Sequence, residues 1–216
     1  MNEMEKSWIY SVMVVALVVF LNFQIIEKWD SKMKIARSRW WLLFWCCVLC
    51  GNCAAQTGRH WLCVSVILGC LMTACVTDML YYKVHNFLWW ISGGAAGCMV
   101  LRLWIEKFRD RDFYEGLCGL VLFLLLQFFL FAKMYGRADC YAFSVCAVAE
   151  FGLGMHIFEF LLHMIVAYVI LFIIQLIRKN IAKSGNLKVS IAFIPYITAS
   201  FLIFMHKYAI WGLTFV

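Results

Sequence analysis

Proline is almost missing from this chain: its 216 residues include one, Pro195. That excludes Pro-rich linkers. No low-complexity tract or strong internal repeat divides the chain either, so residues 1–216 read as a single domain. Charge is scarce too. Charged residues make up 14%, against about a quarter in a typical soluble domain. With 65% hydrophobic residues and a mean hydropathy of +0.86, too little polar surface remains to coat a globule. A lipid-facing surface removes that difficulty, and the expected fold class is an all-α polytopic transmembrane bundle.

Acids are fewer than bases, 12 against 19, for a net charge of +7. The bases lie in short strips between apolar runs, as in membrane-protein loops. No basic and aromatic surface is left over for nucleic acid, so no nucleic-acid partner is expected; the lipid bilayer is. The eleven cysteines sit mostly within apolar runs, where they read as small polarisable packing residues. Cys50 and Cys53 form a C-x-x-C pair, but no second pair follows, and structural zinc wants four ligands. No metal and no cofactor are expected.

A helix needs about 20 apolar residues to cross the hydrocarbon core. Such runs place about eight spans at 7–26, 40–55, 61–80, 87–105, 115–132, 139–153, 156–177 and 192–214. The second and sixth are short enough to be tilted, bent or partly sunk. The first lacks the positive flank and small-residue cleavage site of a signal peptide and reads as a retained helix, followed by a short basic loop up to residue 39. Loops 27–39 and 178–191, with Lys83, Lys133 and Arg137, put twelve basic residues on one face. That face is expected to be cytoplasmic, with both termini outside.

Charged side chains at membrane depth are rare and are functional candidates by default. Asp78 ends the third expected span and Asp139 opens the sixth, so both fall at the basic end of the bundle. Two carboxylates brought close together share a proton near neutral pH. One then deprotonates water while the protonated one polarises a carbonyl, the division of labour in aspartic proteases.

Asp78-Met79-Leu80-Tyr81-Tyr82-Lys83-Val84-His85-Asn86 resembles the first motif of the type IV prepilin peptidases, an Asp followed by a basic turn and, eight residues on, an Asn. Gly136-Arg137-Ala138-Asp139 resembles the Gly-x-x-Asp motif of the GxGD-type membrane proteases. Lys188 to Pro195 looks like the family's Pro-Phe-x-Pro lead into the last helix. The resemblance covers residues 61–214, the presumed catalytic core, and is nearest to the short form serving tight-adherence (Flp) pili.

That resemblance implies a membrane-embedded aspartic endopeptidase. It would cleave prepilin-like substrates carrying a basic leader and an apolar helix, at the cytoplasmic face of the cell membrane. It makes Asp78 and Asp139 the catalytic pair, with Gly136, Asn86 and Lys83 in support. The chain departs from the family at His85 (usually Pro), Tyr141 (often Lys) and Ala192 (usually Pro). Long forms also methylate the new N-terminus and carry a cysteine-rich loop after the first helix. Loop 27–39 has no cysteine, so no N-methyltransferase activity is expected.

Each residue also has a plainer reading. Asp139 suits a helix N-terminus, Asp78 could pair with Lys83, Gly136 suits a tight turn, and Asn86 suits a cap. Lys83 and Arg137 suit ordinary positive-inside residues. His156, Glu159 and His163 share a helix face, as metal ligands or as interfacial polar residues. Glu150, about 16 Å beyond Asp139 along a regular helix, reads as structural. Two other classes of function are compatible with intramembrane acids: a small proton-coupled transporter, and a non-catalytic membrane partner in pilus assembly.

Overall fold

The computed structural model describes residues 3–33, 39–181 and 191–212. They form eight α-helices: α1 (Glu3–Trp29), α2 (Trp40–Ala55), α3 (Trp61–Tyr81), α4 (Asn86–Lys107), α5 (Arg111–Phe129), α6 (Arg137–Gly152), α7 (Ile157–Ile181) and α8 (Ile194–Gly212). Among the described residues there is no strand. Each apolar run expected to be helical holds one of these helices. Among the described residues, five segments are long and apolar enough to cross a membrane: Ser7–Trp29, Gly58–Tyr81, Asn86–Lys107, Arg111–Lys133 and Ile157–Lys179. Trp40–Ala55 and Ile194–His206 are apolar but shorter. Large apolar side chains such as Trp90, Phe129 and Phe158 are 75–81% exposed, as suits a surface facing lipid.

Two helices organise the interior. The first is α3, which packs against α1, α2, α4 and α8. The second is α6, which packs against α4, α5, α7 and α8. Eleven of its sixteen residues are buried. At about 1.5 Å per residue α6 reaches some 24 Å, short of a hydrocarbon core of about 30 Å, so it is enclosed by longer neighbours.

Small residues set the closest approaches. A Cβ added at Gly51 would lie 2.6 Å from Val12 Cα, one at Gly69 2.8 Å from Val18 Cβ, and one at Gly152 2.6 Å from Met99 Cβ. In lipid, where the hydrophobic effect between helices is absent, such close backbone contact is a main source of helix association. Buried hydroxyls bond back along their own helices: Ser65 to the Trp61 carbonyl at 2.7 Å, Thr73 to Gly69 at 2.9 Å, and Ser92 to Leu88 at 2.7 Å. The amide of Asn22, buried on α1, donates to Thr73 Oγ1 on α3 at 3.3 Å.

Polar ties mark the two ends of the bundle. At one end Lys83 pairs with Asp30 at 2.8 Å, joining the α3–α4 turn to the end of α1. At the other, Glu106 accepts from Arg59 at 3.2 Å and Arg102 at 3.3 Å, and His206 meets Gln56 at 3.2 Å. Lys34, Arg37, Lys183 and Lys188 of the expected basic face lie outside the described residues.

Candidate active site

Helix α8 begins at Ile194, with Pro195 as its second residue. The first N–H groups of a helix have no partner within it, and in an apolar interior they need one from elsewhere. Proline has no N–H to satisfy, so it suits this place. The Ile194 N–H donates to Asp78 Oδ2 at 3.3 Å, from the last turn of α3. One turn earlier on α3, the Cys75 thiol donates to Thr198 Oγ1 at 3.1 Å, and Thr198 donates to the Ile194 carbonyl at 3.0 Å. Two contacts thus stitch the end of α3 to the first turn of α8. The positive end of the α8 dipole lies against the Asp78 carboxyl group.

Asp139 is the third residue of α6, and its Oδ2 accepts from the Gly136 N–H at 3.2 Å, the acidic half of a capping box. Gly136 has φ −64° and ψ 154°, ordinary extended backbone. The expectation that a tight turn requires glycine here therefore does not hold. What glycine does provide is space: a Cβ at residue 136 would lie 3.3 Å from Asp139 Oδ2.

Asp78 and Asp139 lie at the same end of the bundle, both half-buried, with the chain before α8 joining their surroundings: Ile194 bonds Asp78 and Phe193 packs on Tyr135, next to Gly136. Aromatic rings cluster just before the start of α8. Phe193 packs on Tyr168, Phe143 and Tyr135 at centroid distances of 5.0, 5.8 and 6.0 Å. The Tyr135 hydroxyl donates to Gln127 Oε1, and burial pushes that hydroxyl far above its ordinary pKa, so it remains a proton donor. On the outer side, half-exposed Tyr141 stands between Trp89 of α4 (6.4 Å) and Phe128 of α5 (5.6 Å).

The supporting residues fare differently. Lys83 is bonded to Asp30, not to Asp78, so the plainer reading of Asp78 as its ion-pair partner is overturned. The Lys83 ammonium holds the Asp30 carboxyl below its ordinary pKa, while burial lowers that of His85, whose Nε2 lies 3.3 Å from Met33 Sδ. Asn86 is the exposed first residue of α4; its cap position is taken by His85, whose carbonyl accepts the Leu88 N–H at 3.2 Å. Asn86 is therefore not the cap expected of it.

His156, Glu159 and His163 do not converge on a ligand. The Glu159 carboxylate caps the His156 N–H at 3.0 Å, and His163 is buried and turned toward α6 and α8. Among the described residues, no three His, Cys, Asp or Glu side chains are grouped to hold a metal ion. A shallow depression lined by Arg109, Arg111, Tyr114, Glu115 and Cys118 lies at the start of α5, at the end of the bundle away from the acids.

Three contributors escape a reading of motifs alone. Tyr135 directly precedes Gly136, Tyr168 is an ordinary aromatic within an apolar run, and the backbone at Ile194 has no side-chain signal of its own. Pro195 at a helix start was the available hint for the last. No family model, curated protein or solved structure matches the chain.

Proposed function

We propose that this protein is a membrane-embedded aspartic endopeptidase that removes the leader from type IV prepilin-like precursors. The observation that supports this reading is that Asp78 and Asp139, 61 positions apart in sequence, are both half-buried at the same end of the bundle. The order of the three sequence motifs supports it. In this reading all eight helices belong to the bilayer of the cytoplasmic membrane, and the end bearing the acids faces the cytoplasm.

The two carboxyl groups hold one proton between them. The ionised member draws a proton from a water molecule, and the water oxygen attacks the scissile carbonyl carbon. The protonated member donates to the carbonyl oxygen as charge develops there; as the C–N bond breaks, the leaving amine takes the proton drawn from the water and the new hydroxyl returns one to the pair. The Ile194 N–H keeps one carboxylate oriented, and the Gly136 N–H keeps the other, which cuts the cost of assembling the pair during the reaction. The substrate's apolar helix lies in lipid beside the bundle, and its basic leader stays at the basic cytoplasmic face, where charge attraction favours it.

Purified protein in liposomes, mixed with a precursor carrying a basic leader, a glycine and one long apolar helix, should release a shortened product whose mass places the cut after that glycine. If intact precursor is all that is recovered across several such precursors, the endopeptidase reading fails.

A further inference from the structure

A three-residue turn, Phe108 to Asp110, joins α4 to α5 at the end of the bundle away from the acids. Its backbone is braced. The Asp110 N–H donates to the Lys107 carbonyl at 2.9 Å, and the Asp110 carboxylate caps α5 by accepting from the Asp112 N–H at 3.1 Å. The Tyr114 hydroxyl donates to the Phe108 carbonyl at 3.0 Å. This turn and the start of α5 bound the depression lined by Arg109, Arg111, Tyr114, Glu115 and Cys118, whose volume of about 550 Å³ is that of a small-ligand cleft.

The charge of the lining is not balanced. Arg111 donates through Nε to Glu115 at 2.8 Å, and the two side chains are 89% and 63% exposed. The terminal nitrogens of Arg111 and the whole guanidinium of Arg109 have no partner among the described residues. Two cations against one anion leave a surplus of one positive charge. The free guanidinium donors have the fork geometry that matches phosphate oxygens.

The same helix face then turns apolar. Arg111, Glu115, Cys118, Leu122, Leu125 and Phe129 follow at steps of three or four residues and so share one face of α5. Cys118 is exposed, and so are Leu122, Leu125 and Phe129. From Cys118 to Phe129 that bare apolar stripe runs for about 16 Å. Because Arg111–Lys133 is long and apolar enough to cross a membrane, the cationic end stands where headgroups begin and the stripe where acyl chains lie. A free anion would use the first part alone, whereas a phospholipid uses both.

We propose that this depression is a phospholipid-binding site, in which Arg109 and Arg111 hold the phosphodiester and one acyl chain lies along Cys118, Leu122 and Leu125. The single negative charge of the phosphodiester matches the surplus charge of the lining. The site lies at the opposite end of the bundle from Asp78 and Asp139 and does not depend on the endopeptidase reading.

The test is native mass spectrometry of the full-length protein in detergent, titrated with phosphatidylglycerol. Arg109→Gln/Arg111→Gln should bind the first lipid about tenfold more weakly than wild type, the effect of losing two exposed ion pairs. Both side chains are exposed, so its melting temperature should not change. Arg59→Gln, which removes an exposed arginine at the same end but outside the depression, should bind as wild type does. Diacylglycerol with the same chains lacks the phosphate and should bind wild type about tenfold more weakly. Glycerophosphoglycerol lacks the chains and should not displace the lipid. Unchanged lipid affinity in the double variant, diacylglycerol binding equal to that of phosphatidylglycerol, or displacement by glycerophosphoglycerol would each overturn the proposal. The last two comparisons use wild-type protein and decide the matter even if the double variant is unstable.

Discussion

Gly51→Ala is expected to push α1 and α2 apart. The new Cβ would lie 2.5 Å from Val12 Cγ2, 2.6 Å from Val12 Cα and 2.7 Å from Val12 N. The methyl of Val12 can rotate away, but its backbone cannot. Ordinary contact begins near 3.4 Å, so α1 must withdraw by about 0.8 Å. The same helix is seated on Gly69 through Val18 and tied to Thr73 through Asn22, and these contacts resist the shift. Overpacking of this kind costs about 1–3 kcal/mol. For a chain of this size that is a fall in melting temperature of about 2–12 °C. Gly94→Ala is the matched control, since a Cβ there meets nothing within 4 Å; it should change stability by no more than about 0.5 kcal/mol. Thermal unfolding in detergent, followed by the fluorescence of the ten tryptophans, measures both. If Gly51→Ala melts with Gly94→Ala, close backbone approach is not what joins these helices.

Tyr135→Phe removes the donor to Gln127, whose buried amide oxygen then loses its partner; the melting temperature should fall by the equivalent of about 1–3 kcal/mol. Tyr82 holds φ +51°, the left-handed region disfavoured for side chains, so Tyr82→Gly should stabilise the α3–α4 turn by about 1 kcal/mol in the same assay. Lys83→Met should leave precursor processing intact and act through Asp30. With Lys83 present the folded Asp30 carboxyl sits below its ordinary value of 3.8. Its contribution is therefore in place above that value and lost as pH falls through the lower folded value. Melting curves of wild type and Lys83→Met should accordingly converge toward strong acid and separate toward neutrality.

Helix positions were legible because apolar runs in a lipid-facing chain are interrupted by short polar stretches, such as that around Lys83, where α3 ends and α4 begins. The short run 139–153 showed its character as well: a helix too short for the hydrocarbon core is one its neighbours enclose, and α6 is enclosed. Partners between helices were not legible. Lys83 lies five residues after Asp78, which invites pairing, yet the chain reverses at Tyr82 and carries the ammonium to Asp30. Glu150 and His163 were visible as polar residues in apolar runs. Their meeting depends on how α7 slides along α6, and helical periodicity contains nothing about that offset. The bond from the Ile194 N–H to Asp78 is likewise a contact between distant segments that periodicity does not contain.

The most direct test of the catalytic pair is the initial rate of precursor cleavage by Asp78→Asn, Asp139→Asn and the double variant, each reconstituted and folded to the same melting temperature. Two groups acting as one unit give strongly non-additive losses. Each single variant should therefore abolish measurable product, with the double no worse. Wild-type rates in either single variant would contradict the account.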